Sequence, residues 1–233
     1  MISPLCEEPT GLRPGKARPG RVRGLVVHTT GGGPARSAKK LGIDPTERAL
    51  AYYLHGGEGF PNYLLSQEGL LLPICDEAQV ANHAGWDKAL LAQVGGMGWN
   101  KWQPAKWWAD VWVAAGYKNP GAILRAAAGP GAKVSGVNSL FLGVELEADE
   151  TGYGFTPQQY LKLAMLWEDI ARRHRLPYMF PSQHCLGHED INPVGRSNAG
   201  GGWDPGARRK QPGFSWDRLS IEFAKFGTLP PVA

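Results

Sequence analysis

Three residues that lie far apart in the sequence, His28, His188 and Asp204, could bind one metal ion together. His28 ends an apolar run that begins at Gly24, and both His188 and Asp204 lie beside turn-forming glycine or proline. Two imidazoles and one carboxylate, with a fourth position left to water, are a common ligand set of catalytic zinc sites. A lone histidine at a strand end is more often structural, but three residues in such settings together indicate a metal site.

A rival metal pair, His184 with His188, has the i, i+4 spacing of two ligands on one helix. A zinc-peptidase helix carries a glutamate directly after its first histidine, and Cys185 occupies that position here. Gly187 also disfavours a helix through this segment. The pair is the weaker alternative, and it would leave His28 without a metal-binding role.

Two carboxylates, Glu145 and Glu147, could supply the acid–base chemistry of such a site. Both lie in the apolar segment 140–147, which reads as a buried strand. Alternate residues of a strand point to the same face, so the spacing does not distinguish the two glutamates. The structural alternative is an exposed pair of carboxylates at a strand end.

The elements that must position these residues alternate between strands and helices, which predicts an α/β fold with one domain: a central mixed β-sheet flanked by helices. Asp44-Pro45 and the Thr156-to-Gln159 segment have the composition of helix N-caps. Strands are predicted at 23–28, 62–66, 69–73 and 140–147, and helices at 44–55, 156–174 and 216–225. The glycine runs 31–33 and 200–202 lack the Gly-Lys-Ser/Thr ending of a phosphate loop and are interpreted as flexible groove edges.

Length and composition fit one globular domain of 233 residues, with 42% hydrophobic and 20% charged residues. We expect an irregular basic arm over 1–21, a catalytic domain over 22–226 with a tryptophan- and glycine-rich insertion at 94–135, and a tail over 227–233. The net charge is +4, and the basic residues that precede the first strand read as a solvated arm or, as the functional alternative, as a segment attracted to an anionic polymer such as a bacterial cell wall. No nucleic-acid-binding module is recognisable, so nucleic acid is not expected as a partner.

The compartment is predicted from weaker signals. Three cysteines cannot form a disulfide framework and read as buried or incidental thiols from a reducing compartment. The N-terminal residues lack the pattern of a secretory signal, and no apolar stretch approaches the length of a membrane span. We therefore expect synthesis in the cytoplasm without a signal peptide, and action at the bacterial cell wall or periplasm.

At these same residues the chain resembles the zinc-dependent type-2 N-acetylmuramoyl-L-alanine amidases, a superfamily that includes amidase-type phage lysozymes and peptidoglycan-recognition proteins. The similarity spans about residues 22–222, with the middle insertion outside it. Each matching segment alone is weak, but their order along the chain is specific. The matching segments are 26–31, 62–65 with 68–69, 81–85, 139–147, 187–191 and 204–206.

The resemblance implies hydrolysis of the amide that joins N-acetylmuramic acid to L-alanine in peptidoglycan. It implies one Zn²⁺ held by His28, His188 and Asp204, with Glu145 as the catalytic base. Further expected roles are substrate binding by Thr29, Asn62 and His83, with stabilisation of a turn as the alternative for His83, and stabilisation of the developing oxyanion by Arg196. Arg196 is proposed because the family's lysine, two residues before the third ligand, is replaced by Gly202; the alternative is that a backbone N–H or the zinc itself holds the developing charge.

Two further readings stay open. A non-catalytic module of the same fold that binds peptidoglycan or muropeptides is the alternative function, and the altered segment before Asp204 favours it. The insertion could pack on the domain, bind glycan through its aromatic rings or dock a cognate partner or delivery protein. Five of the nine tryptophans lie in it: Trp99, Trp102, Trp107, Trp108 and Trp112.

Overall fold

A five-stranded mixed sheet forms the centre of the fold in the computed structural model. The structure describes residues 1–8, 11–85, 137–176, 184–192, 196, 203–207, 209 and 213–226. The predicted insertion at 94–135, the tail at 227–233 and the glycine run at 200–202 lie outside these residues.

The strands and helices alternate along the described chain. The strands are β1 (Lys16–Ala17), β2 (Gly24–Thr29), β3 (Tyr63–Leu65), β4 (Leu71–Pro73), β5 (Gln79–Val80), β6 (Phe141–Leu146) and β7 (Cys185–Gly187). The helices are α1 (Gly32–Leu41), α2 (Pro45–His55), α3 (Val137–Leu140), α4 (Pro157–His174), α5 (His188–Ile191) and α6 (Trp216–Ala224).

The main sheet has the strand order β4-β3-β6-β2-β7. Only β3 and β4 pair antiparallel within it; β3 with β6, β6 with β2, and β2 with β7 are parallel. The parallel strands β2 and β6 are mostly apolar because helices cover both faces of the sheet, and their polar residues lie near the strand ends. One apolar cluster packs α4 against the sheet through Leu163 and Trp167, and a second packs α2 against it through Ala49 and Tyr53. The predicted class, a single α/β domain with a mixed sheet flanked by helices, is confirmed.

The register of the parallel strands brings the candidate residues to one edge of the sheet. His28 near the end of β2 lies directly opposite Glu145 of β6. Gly187 of β7 pairs with Val27, so His188 follows at the same edge. Residues from three separate parts of the sequence meet because parallel strands end at a common edge.

Two predicted helix starts are confirmed by their caps. The Asp44 side chain accepts a hydrogen bond from the backbone N–H of Glu47, and Thr156 and Gln159 form a reciprocal capping box. Three helices were not predicted: the four-residue α3 and α5, and the longer α1, which starts at Gly32 after Gly31 with a positive φ of 63°. Gly32 and Gly33 therefore lie in a helix and not in a flexible segment, although Gly33 does line the edge of the pocket described below. A Cβ at Gly32 would lie 2.3 Å from the Glu150 carbonyl oxygen, so close packing requires glycine there.

The N-terminal segment is attached to the domain at its described residues. Within the predicted irregular arm, β1 pairs antiparallel with β5. The Arg18 guanidinium donates hydrogen bonds to the backbone carbonyls of Glu77, Asn138 and Ser139 at 2.8–2.9 Å. Arg18 thus stabilises the segment that precedes β6 rather than presenting its charge to solvent.

All three cysteines are free thiols, and Cys75 and Cys185 are buried. In the part of the chain that the structure describes, no helix combines the length and the apolar character that crossing a membrane requires.

Candidate active site

A pocket of about 470 Å³ opens at the edge of the sheet where β2 and β6 end. One wall carries residues from the strands and the segments that follow them, and the other carries residues from α1 and α2. The residues that line it are His28, Thr29, Thr30, Gly33, Pro34, Ser37, Arg48, Tyr52, Tyr53, Gly59, Phe60, His83, Glu145, His188, Arg196 and Asp204.

The three predicted metal ligands converge in this pocket. The Nδ1 atoms of His28 and His188 lie 3.3 and 2.9 Å from the same carboxylate oxygen, Oδ2 of Asp204. One ligand atom from each residue lies within 4.8 Å of the other two. All three side chains are buried, so the group is a candidate metal site enclosed by protein.

The local chain path explains how Asp204 reaches the two histidines. Its Oδ1 accepts a hydrogen bond from the backbone N–H of Thr29 at 2.8 Å, and its backbone carbonyl accepts one from Glu189 N–H at 2.8 Å. The first bond ties the Asp-Pro-Gly turn to the end of β2, and the second ties it to the start of α5. Asp204 is therefore held by the segments that carry the other two ligands.

The charges of these three groups depend on one another. Burial lowers the pKa of His28, but the Asp204 charge and its hydrogen bond outweigh burial and raise it. Burial raises the pKa of Asp204, but the charge of His28 and hydrogen bonds from both histidines hold it below its ordinary value. The pKa of His188 is lowered, chiefly by burial. An ionised carboxylate beside two imidazoles can bind a cation. The cation would displace the hydrogen that a histidine donates to Asp204.

The donor set fits a zinc ion. Ligand atoms at zinc–nitrogen and zinc–oxygen distances near 2.0–2.1 Å are about 3.4 Å apart in a tetrahedral site. The two distances from Asp204 Oδ2, 2.9 and 3.3 Å, are close to that tetrahedral edge. Two imidazoles and one carboxylate also match zinc in chemical type.

Glu145 lies in the pocket, and Glu147 does not line it. The Oε2 atom of Glu145 is buried without a hydrogen-bond partner among the described residues. Burial raises the pKa of Glu145 to about 7; the Asp204 charge adds to this, while the His28 charge and a hydrogen bond from Tyr53 oppose it. Glu147 instead accepts a hydrogen bond from the Thr46 hydroxyl at 2.7 Å. The structure therefore distinguishes Glu145 from Glu147, which the alternation of side chains along a strand could not do.

Tyr53 and Arg48 line the pocket and were not among the predicted site residues. Tyr53 is 7% exposed, and burial followed by the Glu145 charge raises the pKa of its hydroxyl well above its ordinary value. Arg48 donates from Nε to the Ser37 hydroxyl of α1 at 3.4 Å. The sequence offers one signal for these two residues, which is that both are polar residues on the predicted helix α2. That signal does not indicate which side of the helix faces a pocket.

The structure places the predicted substrate-binding residues Thr29 and Asn62 in different environments. Thr29 lines the pocket, and its hydroxyl donates to the Gly152 carbonyl at 3.2 Å. Asn62 is fully buried: its Oδ1 accepts from Gly143 N–H and its Nδ2 donates to the Cys75 carbonyl. The substrate contact predicted for Asn62 is therefore wrong, because its side chain is occupied in joining β3 to its neighbours.

His83 lines the pocket beside His28, with 3.0 Å between its Nδ1 and Nε2 of His28. Its Nε2 lies 3.2 Å from the Phe141 carbonyl oxygen. Burial first, and then the His28 charge, hold the pKa of His83 well below its ordinary value, so its imidazole is neutral.

Arg196 and His184 are also placed by the structure. Arg196 is exposed and lines the pocket, and its charge lowers the pKa of Glu145. His184 donates from Nδ1 to the Arg23 carbonyl at 2.6 Å, and it is absent from the metal-site group found among the described residues. The rival pair of His184 with His188 is not supported.

An α/β fold with a pocket that combines a His-His-Asp group and a glutamate is typical of metal-dependent hydrolases. The model of the N-acetylmuramoyl-L-alanine amidase family (Amidase_2) matches residues 18–207, so the chain belongs to that family. It is a peptidoglycan amidase, as the sequence predicted.

Solved structures with a similar fold include amidases. A selenomethionine derivative of AmpD has a TM-score of 0.48 and 18% sequence identity, covering 95% of this chain and 99% of that one. AmpD of Citrobacter freundii has a TM-score of 0.40 and 19% identity, covering 97% and 90%. The amidase LysC of Clostridium intestinale has a TM-score of 0.44 and 13% identity, covering 93% and 95%. No curated protein matches the chain.

Proposed function

We propose that this amidase is zinc-dependent and hydrolyses the amide between the lactyl group of N-acetylmuramic acid and L-alanine. His28, His188 and Asp204 hold one Zn²⁺. The observation on which this proposal rests is that the three ligands share a pocket with Glu145, whose Oε2 is buried without a partner among the described residues. A buried carboxylate oxygen without a hydrogen-bond partner is costly, and such groups are frequent at functional sites.

Each residue has a definite part in the reaction. When bound, zinc polarises the scissile carbonyl and makes water more acidic, which an unactivated amide requires. Glu145 takes a proton from the attacking water and returns it to the leaving nitrogen. A carboxylate with a pKa near 7 can do both, because it gains and loses a proton with little cost at neutral pH. Tyr53 holds the Glu145 carboxylate through its hydroxyl.

Arg196 supplies positive charge at the mouth of the pocket, where the carbonyl oxygen becomes negative. Its guanidinium takes the part that a lysine before the third ligand would have. Thr29 fixes the Asp204 carboxylate through its backbone N–H and borders the substrate.

Arg48 binds an anionic group of the substrate on the opposite wall. Its Nε bond to Ser37 orients the guanidinium, and among the described residues no hydrogen bond or ion pair engages its two terminal nitrogens. The stem peptide of peptidoglycan carries free carboxylates, and a guanidinium binds a carboxylate through two parallel hydrogen bonds. Arg48 thus favours the peptide side of the substrate.

The protein acts at the bacterial cell wall or periplasm after synthesis in the cytoplasm. The net charge of +4 supports this proposal, because the cell wall is an anionic polymer. The tryptophan-rich composition of 94–135 is our reason to propose that this segment binds a cognate partner or delivery protein, and removal of 94–135 tests that role by loss of delivery with retained cleavage.

The second candidate function is muropeptide binding without hydrolysis. The observation that favours it is Gly202, which stands where the resemblance to the type-2 amidases implies a lysine. If Arg196 cannot replace that lysine, the pocket would bind substrate and release it unchanged.

Mass spectrometry of purified sacculi treated with zinc-loaded protein separates these functions. The amidase releases stem peptides with a free L-alanine amine, and glycan reducing ends do not increase. Binding of muropeptides without release of peptides would establish the second function. An increase in reducing ends without free amines would identify a glycosidase and refute both.

A further inference from the structure

We propose that His83 is a positioning residue: it fixes which ring nitrogen of His28 faces the metal, and it does not bind substrate. The inference rests on the zinc site of the proposed function. It concerns one contact between the pocket wall and one ligand, and it revises the role that the sequence predicted for His83.

The hydrogen-bond partners of His83 determine where its proton lies. A backbone carbonyl can only accept, so His83 Nε2, at 3.2 Å from the Phe141 oxygen, carries the hydrogen. The Nδ1 atom of the neutral ring then has a lone pair, and it accepts from Nε2–H of His28 at 3.0 Å. Without metal, Nδ1 of His28 donates to Oδ2 of Asp204 at 3.3 Å; when a metal displaces that proton, His28 with its hydrogen on Nε2 presents the lone pair of Nδ1 to the metal.

The ring of His83 is held in place from two sides. Its backbone N–H and that of Ala84 donate to Oδ1 of Asn138, at 3.3 and 2.9 Å. Its ring lies against the backbone of β6 at Gly143, where a Cβ would be 2.4 Å from Cγ of His83. Glycine is unfavourable in the middle of a strand, so its presence there indicates a close approach that the fold requires. Gly143 provides the space in which His83 reaches His28.

The two histidine ligands differ in this respect. His188 Nε2 is buried with no hydrogen-bond partner among the described residues, whereas His28 Nε2 has His83. Partners that orient metal-binding imidazoles are usually carboxylates, carbonyls or water, and their loss costs roughly 10- to 100-fold in metal affinity. Both ring nitrogens of His83 are engaged by the protein, so neither is left for substrate.

Zinc affinity measured by competition with a chelator tests the inference without substrate. We expect His83→Leu to weaken zinc binding roughly 10- to 100-fold, because His28 loses its acceptor. His83→Asn keeps an acceptor oxygen near the position of Nδ1 and should restore affinity to within about threefold of wild type. Gly143→Ala should weaken binding as His83→Leu does, since it displaces the ring without altering it. Gly20→Ala is the matched control, because a Cβ there meets nothing within 4 Å.

The outcomes separate this inference from the zinc site itself. Wild type that binds no zinc would refute the proposed zinc site and this inference with it. If wild type binds zinc and His83→Leu binds it equally well, only the inference fails; a raised KM at unchanged zinc content would then assign His83 to substrate. If His83→Asn binds zinc as weakly as His83→Leu, although both unfold at the same temperature as wild type when no metal is present, the hydrogen-bond argument is wrong. The ring nitrogen signals of His28 in NMR should show hydrogen on Nε2 in wild type and in His83→Asn.

Discussion

Replacing Glu145 with glutamine separates metal binding from proton transfer. The substitution keeps the shape of the side chain and removes its ability to accept a proton at Oε2. Because Glu145 is not one of the three ligands, Glu145→Gln should bind zinc as wild type does. Loss of a general base typically costs about 10²- to 10⁴-fold in rate, so we expect kcat to fall by that amount.

The pH dependence gives a second measure of the same group. Burial raises the pKa of Glu145 to about 7, which means that its charged form is disfavoured in the pocket. The base must be deprotonated, so kcat/KM should fall as the pH decreases through this pKa. A bound dication favours the carboxylate, which places the fall at or below pH 7 in the zinc enzyme. Glu145→Gln should lack this acid limb.

Glu147→Gln is the matched control, since Glu147 lies two residues on, bonds to Thr46 and does not line the pocket. We expect it to keep kcat within about threefold of wild type and to lose only the stability of one hydrogen bond, about 1 kcal/mol. The assay is release of L-alanine amines from sacculi, with zinc content measured on the same samples. Equal activity of wild type and Glu145→Gln, or inactivity confined to Glu147→Gln, would refute the assignment.

Three other predictions concern stability and substrate. Burial alone would raise the pKa of Glu77, but hydrogen bonds led by Arg173 lower it from 4.5 to about 2. The ionised Glu77 carboxylate therefore stabilises the folded protein by about 3 kcal/mol, and this contribution is present above pH 4.5 and is lost as the pH falls toward 2. Denaturant unfolding of Glu77→Gln should therefore show that loss at pH 7 and a weaker dependence on pH between those values. Arg48→Ala should raise KM for stem-peptide substrates about tenfold, whereas Arg36→Ala, outside the pocket lining, should not; equal KM values would contradict a carboxylate contact. Zinc at 100 times its Kd should stabilise wild type by about 2.7 kcal/mol in thermal melts and leave Asp204→Ala unchanged; stabilisation of both would place the zinc elsewhere.

The sequence predicts those parts of the fold that depend on local chemistry. The Asp44 and Thr156 caps, the apolar β2 strand and the hairpin of β3 and β4 match the structure because neighbouring residues decide them. Helix α1 was missed because its first residues are glycines, which disfavour helices in isolation. Its start is set by packing against the Glu150 backbone, which no local pattern reveals.

The same distinction applies to the site. The three ligands could be predicted because their segments have distinctive neighbours, and the register of the parallel strands then brings them together. The error at Asn62 arose because a polar residue beside a strand can serve the backbone as well as a substrate. The contact of His83 with His28 depends on space above Gly143, and the position of Tyr53 depends on how α2 packs. Both are tertiary contacts, which spacing along the sequence does not determine.

Zinc content after dialysis of wild type and single variants tests the central claim most directly. We predict about one zinc per wild-type chain, loss of zinc in His28→Ala and Asp204→Ala, and full zinc content in His184→Ala. Stoichiometric zinc in His28→Ala, together with its loss in His184→Ala, would contradict the account and place the metal on the other histidine pair.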